Sequence, residues 1–227
     1  MASFEGKVFM KPVWLRVFYS PLINRSARTV LVGRLKDCQN PKFGRFTRLE
    51  VNEILRKMWI EFPRLARSTP IEPSLGSRIN ILLACLTLSA FGVLLEKGIE
   101  RKYAIELLGD VTWKLYRRWG TIVAFIAKIL TRNPAKRMQK AINLFLRFPF
   151  TPPGYVFERL PSRDGVYLDM LRCPVADYFK SNNTTDLCIE TWCNLDFALA
   201  QMWGGKLERQ KTLAGGGDRC DFRFKAV

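Results

Sequence analysis

Histidine is absent from this chain of 227 residues. The absence excludes Ser-His-Asp triads, Cys-His dyads, histidine metal ligands and a histidine pH switch. Proton transfer by the protein would therefore use Asp, Glu, Tyr, Cys, Lys or bound water. The sequence also lacks a GxGxxG fingerprint, a P-loop, an HExxH motif and any evident internal repeat, so it does not indicate the common nucleotide-binding or zinc-protease classes.

Acidic residues are scarce in the first two thirds of the chain. Residues 1–150 carry 27 Lys and Arg against 10 Asp and Glu, whereas residues 151–227 carry 10 of each. The formal net charge of +17 therefore belongs to the first part. A basic surface attracts phosphates, anionic lipid or an acidic partner, and a basic helix face in water explains the charge equally well. No nucleic-acid motif accompanies it, so nucleic acid is a poorer partner than an anionic membrane.

The first residues show no secretory signal, because residues 1–11 lack an uninterrupted apolar core. We therefore expect a cytoplasmic protein with reduced thiols. Its six cysteines are Cys38, Cys85, Cys173, Cys188, Cys193 and Cys220.

Composition and periodicity divide the chain into three predicted parts: an N-terminal extension (1–48), a basic helical region (49–150) and an α+β domain (151–227). Thr47 and Glu50 are typical of a helix start, and Pro63 is expected to break or bend the helix that follows. The most apolar run, at 79–95, has the length of a marginal membrane span. We prefer a buried core helix that ends at Gly98. A second helix is predicted from about Glu100.

Residues 120–147 are predicted to form basic amphipathic helices, with Pro134 starting a new one. One interpretation places this segment in a lipid interface. The other, which we slightly favour, packs its apolar stripe on the core and leaves the basic residues in water. The stripe consists of Ile122, Phe125, Ile126 and Ile129.

Beyond residue 150 the apolar period changes from 3.6 to 2. The segments "YVFERL" and "GVYLDMLRC" alternate like strands, "TTDLCIETWCNLDFALAQMWGG" is helical, and "KLERQKTL" and "RCDFRFKA" are strands joined by a glycine turn. The predicted fold class is α+β, in which an N-terminal helical region is followed by an antiparallel ββαββ unit.

This unit predicts that distant cysteines meet. Cys173 ends the second strand, Cys193 lies in the helix three residues before Asp196, and Cys220 and Asp221 begin the last strand on opposite sides of the sheet. If the helix packs on the sheet, the three thiols converge at one edge. Burial as small core residues, a thiolate zinc site and nucleophilic catalysis all remain open for them.

Three motifs carry a resemblance to a known family. They are "LRCP" at 171–174, "CNLD" at 193–196 and "ERQKTLAGGGDRCDFRF" at 208–224. Over about 171–224 the chain resembles the L-2-amino-thiazoline-4-carboxylic acid hydrolase-like family. The resemblance implies a hydrolase that acts on a small cyclic C–N/C–S substrate.

The leading hypothesis is therefore a hydrolase-like enzyme for a small substrate, cyclic or lipophilic. In it one thiolate, from Cys193 or Cys220, is a nucleophile or metal ligand, and Asp196 positions water or accepts a proton. The alternative is a non-enzymatic small-molecule-binding or accessory module, peripheral to an anionic membrane, whose cysteines are structural or bind zinc. The candidate catalytic residues are Cys173, Cys193, Asp196, Cys220 and Asp221; the candidate zinc ligands are Cys173, Cys193 and Cys220; the candidate substrate-binding residues are Arg209, Thr212 and Gly216.

Overall fold

The computed structural model describes residues 12–226, so the predicted absence of a signal at residues 1–11 lies outside the described part. Five helices come first: α1 (Pro12–Leu31), α2 (Arg48–Ala66), α3 (Leu75–Glu96), α4 (Arg101–Leu130) and α5 (Pro134–Arg147). The C-terminal part contains β1 (Val156–Leu160), β2 (Gly165–Arg172), α6 (Pro174–Ser181), α7 (Thr185–Cys188), a π-helical segment (Ile189–Cys193), α8 (Leu195–Met202), β3 (Gly205–Glu208) and β4 (Cys220–Ala226).

Helix α2 begins as predicted but ends later. The Thr47 hydroxyl accepts the Glu50 N–H at 3.2 Å, and the Glu50 carboxylate accepts the Thr47 N–H at 2.8 Å, which is a complete capping box. We predicted that Pro63 breaks or bends this helix; the break is wrong, because α2 runs through Pro63 to Ala66, and the bend stays a prediction. Pro63 lies in the last turn, and the preceding Phe62 is fully buried, so packing offsets the lost backbone hydrogen bond.

Helix α3 is long and apolar enough to cross a membrane, yet 67% of its apolar window is buried inside the protein. Two of its polar residues are satisfied by groups outside the helix: Asn80 donates to the Tyr155 hydroxyl at 2.8 Å, and Ser89 donates to the Met58 carbonyl at 2.9 Å. The helix ends before Gly98, whose φ of 77° reverses the chain as predicted. These contacts favour the core helix over a membrane span.

Helix α4 is one continuous helix of 30 residues, and Pro134 begins α5 as predicted. The packing that we favoured for the apolar stripe is wrong. Small residues, Gly120 and Ala127, are buried together with Val123. The larger stripe residues lie outside, with exposed fractions of 50% for Ile122, 64% for Phe125, 38% for Ile126 and 69% for Ile129.

The four strands form one antiparallel sheet in the order β1-β2-β4-β3. Asp169 pairs with Asp221, and Met170 pairs with Cys220. The α+β prediction is confirmed, with two local differences. Helix α6 begins at Pro174, where no element was predicted, and β3 stops at Glu208 instead of continuing to residue 213.

The buried apolar residues form two cores that meet. The first core contains residues of the helices α1, α2, α3, α4, α6 and α7. The second contains residues of α5, α8, one face of the sheet and the C-terminal end of α4. Cys173 and Leu213 pack against both cores. The segments that carry the predicted site therefore lie at the junction of the two cores.

Candidate active site

A cavity of about 100 Å³ lies between the sheet face and helices α4, α5 and α8. For comparison, an apolar cavity of about 150 Å³ accommodates benzene, so this cavity has about two thirds of that volume. Five residues predicted for the site line it: Cys173, Cys193, Asp196, Arg209 and Cys220. The predicted convergence of three thiols beside a carboxylate is therefore present in the structure, although their chemical roles stay predictions.

A fourth thiol, Cys188, reaches the cavity because the helix is locally π-helical. Residues five apart point about 140° away from each other on a regular α-helix. Here the Asn194 N–H donates to the Ile189 carbonyl five residues back at 2.8 Å, and this wider turn puts Cys188 and Cys193 on one side. The two thiols share a hydrogen bond. Cys188 was not among the predicted site residues, since its spacing from Cys193 is unsuitable on a regular helix.

Asp196 and Arg209 form an ion pair at the cavity wall. Arg209 Nη1 donates to Asp196 Oδ2 at 3.0 Å, and Nη2 donates to the Cys193 carbonyl at 3.1 Å. The Arg209 guanidinium also lies 4.9 Å from the ring centroid of Phe197 and 5.4 Å from that of Phe222. Its side chain is only 3% exposed, so the cation is fixed in place.

The pKa of Asp196 is raised from 3.8 to about 6. Burial is the main cause, because it disfavours the charged form, and the attraction and hydrogen bond of Arg209 act in the opposite direction. The side chain keeps 25% of its surface accessible, so water or a small ligand can reach it. A carboxyl group that changes charge near neutral pH is suited to proton transfer.

Burial keeps most of these thiols protonated. It raises the pKa of Cys173 and raises that of Cys220 to about 12. The hydrogen bond from Cys193, followed by burial, raises the pKa of Cys188. Cys220 Sγ also accepts the Leu213 N–H at 3.2 Å, which only partly offsets its burial.

Three predicted residues lie outside the cavity lining. Asp221 faces away from it and accepts the N–H groups of Gln210 at 3.1 Å and Lys211 at 2.6 Å, which ends β3. Thr212 accepts the Gly215 N–H with its hydroxyl, and Gly216, with a φ of 87°, completes the same turn. The geometry therefore gives these three residues a structural role: their turn directs Arg209 towards Asp196 and the Leu213 N–H towards Cys220.

Within residues 12–226, no group of three or more Cys, Asp or Glu side chains is arranged to hold a metal ion. The thiols that line the cavity thus do not form a zinc site in this geometry. Aromatic side chains that the sequence analysis did not select complete the wall. They are Tyr116, Phe145, Phe150, Tyr155, Trp192, Trp203, Phe222 and Phe224.

Fold and site together define an α+β protein with a partly open apolar cavity that is lined by thiols and by the Asp196 carboxyl group. The model of the L-2-amino-thiazoline-4-carboxylic acid hydrolase family matches residues 94–224, and the chain belongs to this family. The match confirms the resemblance at 171–224 and extends it back to the end of α3. Every residue that lines the cavity lies within it. The chain matches no curated protein and no solved structure at a significant level.

Proposed function

We propose that the protein is a hydrolase in which Asp196 is the general base and Cys193 the nucleophile, acting on a small ring in the thiol-lined cavity. The family name suggests a hydrolase-like function. The observation that carries the proposal is the accessible Asp196 carboxylate, whose pKa of about 6 lets it be ionised and still basic at neutral pH.

Cys193 is the most suitable of the four thiols. It lies one helical turn before Asp196, and its carbonyl accepts the N–H of the same guanidinium that pairs with Asp196. The pKa values of Cys173, Cys188 and Cys220 are all raised, so those thiols resist ionisation.

The proposed reaction consumes one water molecule. Asp196 accepts the proton of the Cys193 thiol as Sγ attacks the electrophilic ring carbon. The ring C–S or C–N bond then breaks, and its heteroatom takes the proton from Asp196. Water, deprotonated by Asp196, next attacks the same carbon, and the bond to Cys193 Sγ breaks as Sγ takes that proton back from Asp196, which restores the thiol and the carboxylate. Arg209 holds Asp196 in position throughout and offers positive charge to an anionic substrate group.

The test compares Cys193→Ser and Asp196→Asn with the control Glu158→Gln, which removes an exposed carboxylate outside the cavity. The first substrate is 2-amino-thiazoline-4-carboxylate, named by the family, and both its loss and the ring-opened product are measured by liquid chromatography with mass detection, because only C–S cleavage releases a free thiol. We expect the control to remain active and each site variant to lose about 100-fold or more in kcat.

Full activity of both site variants would refute the assigned roles. A wild-type protein that binds but does not hydrolyse this compound or its ring analogues would refute the enzyme and favour the binding-module alternative. That alternative is supported by the burial that keeps Cys173, Cys188 and Cys220 protonated.

A further inference from the structure

A second, larger cavity of about 310 Å³ lies among α1, α3, α4 and the end of α5. Most of its lining is aliphatic or aromatic, and the threonine hydroxyls and the Asn80 amide of the lining are already hydrogen-bonded inside the protein. The threonine hydroxyls of the lining donate to carbonyls of their own helices, and Asn80 donates to Tyr155. These threonines are Thr87, Thr112 and Thr191. Such a cavity offers little to water or to a polar ligand, but it suits a hydrocarbon chain.

The two cavities share one wall. Tyr116, Phe145 and Trp192 line both of them. The indole N–H of Trp192 is buried and has no acceptor among the described residues, so it is available to a polar atom of a ligand. A chain bound in the second cavity would therefore lie directly behind the thiols of the first.

The mouth of the second cavity is bordered by exposed apolar side chains. On α4, Trp119, Ile122 and Ile126 line the cavity while remaining at least 38% exposed, and Ile129 continues their stripe towards the end of the helix. On α1, the exposed Phe18 lies one turn before Leu22, which lines the cavity. A continuous apolar border of this kind on a soluble surface marks an interaction site.

Unpaired cations accompany this border. Arg118 lies one turn before Ile122, and Arg147 precedes Phe148, another exposed residue that lines the cavity. Neither cation forms a salt bridge within the described part of the chain. Exposed apolar side chains accompanied by free cations complement an anionic bilayer. A second copy is disfavoured because both copies would carry the net charge of +17.

We propose that this cavity binds the hydrocarbon chain of an anionic lipid, taken from an anionic bilayer on which the cavity mouth rests. The lipid headgroup lies among the cations of the rim, and the chain fills the space between α1, α3 and α4. The proposal does not depend on the hydrolase chemistry, because binding to this cavity is measurable without turnover. Tyr19, Leu22 and Ile23 on α1 belong to the cavity but lie outside the family match at 94–224.

The first experiment titrates the full chain with a polyene fatty acid whose fluorescence rises in apolar surroundings. The double variant Ile122→Glu/Ile126→Glu places two carboxylates in the mouth. The control Leu49→Glu/Ile71→Glu makes the same change in charge at exposed positions outside the cavity lining. We expect saturable binding by the wild type and the control, and binding weaker by about tenfold or more in the mouth variant. No saturable binding by the wild type, or equal loss in both variants, would overturn the proposal.

The second experiment sediments the same proteins with phosphatidylcholine vesicles, with and without phosphatidylglycerol, at low and high salt. We expect the wild type to bind only the anionic vesicles and to dissociate from them at high salt. The mouth variant should not bind these vesicles, whereas the control should bind them like the wild type. Fatty-acid binding without vesicle binding would overturn the bilayer as the source. Equal binding to neutral and anionic vesicles would overturn the role of the cations.

Discussion

Replacing Arg209 by Gln is expected to raise the pKa of Asp196 above its value of about 6. Burial and Arg209 act on this carboxyl group in opposite directions: burial raises its pKa, and the guanidinium lowers it. Without the cation, burial acts alone, so the protonated form persists to higher pH. If Asp196 is the general base, the pH at which activity appears must move upward with it.

The magnitude follows from the geometry of the pair. Arg209 donates to the carboxylate at 3.0 Å and is only 3% exposed, so water screens the interaction poorly. A hydrogen bond to a charged group contributes about 1.5–3 kcal/mol, which corresponds to roughly one to two pKa units. The midpoint of the acid limb of kcat/KM is therefore expected to move from about 6 in the wild type to between roughly 7 and 8 in Arg209→Gln.

The assay is the pH profile of kcat/KM, together with the carboxyl ¹³C chemical shift of Asp196, which reports its ionisation without turnover. Arg163→Gln removes a cation from the exposed turn between β1 and β2 and should leave both profiles unchanged. Arg209→Lys keeps the charge and should restore the midpoint in part. An Asp196 pKa that stays the same or falls in Arg209→Gln would refute this account of the pair.

Three further predictions concern stability and thiol reactivity. In the ion pair of Glu72 and Arg172, the Glu72 side chain is 4% exposed and the Arg172 side chain is 39% exposed. Arg172→Met leaves a buried carboxylate unpaired and should lower the free energy of unfolding by about 3–5 kcal/mol. Glu72→Gln should lower it clearly less, because the remaining Arg172 reaches water. Gly92→Ala should stabilise the protein by about 0.5–1 kcal/mol, because a Cβ there meets no atom within 4 Å inside helix α3. At pH 8, iodoacetamide should modify the exposed Cys38 before Cys220, whose burial raises its pKa to about 12.

Denaturant unfolding measures the first two changes, and mass spectrometry of digested protein measures the third. Equal losses in Arg172→Met and Glu72→Gln would contradict the burial asymmetry of the pair. A Gly92→Ala variant less stable than the wild type would contradict the open space at that position. Modification of Cys220 at the rate of Cys38 would show that its thiol is accessible and ionised in solution.

Local chemistry was sufficient to predict several elements. A capping box needs only the hydroxyl of Thr47 and the carboxylate of Glu50 three residues later, and Pro134 has the fixed φ of a first helical residue. The alternation beyond residue 150 predicted the four strands, because a half-covered strand requires a period of 2. Even the meeting of Cys173, Cys193 and Cys220 followed from placing one helix on that sheet.

Periodicity, in contrast, shows which residues share a helix face but not which face a neighbour covers. On α4 the apolar stripe that includes Ile122 and Ile129 predicted a core contact, whereas close packing uses the small residues Gly120 and Ala127 and leaves the larger ones outside. Because Ile122 and Ile126 stay outside the core, they border the mouth of the second cavity.

What the sequence by itself determined is therefore local: helix starts, strand period, charge distribution and the motifs of the family. Only the tertiary structure decided the chemistry of the site. The π-helical turn that adds Cys188, the Arg209 guanidinium beside Asp196 and the raised pKa of that carboxyl group all depend on packing between distant segments. The physical reason is that desolvation and charge pairing act through space, and distance along the chain does not report distance in the fold.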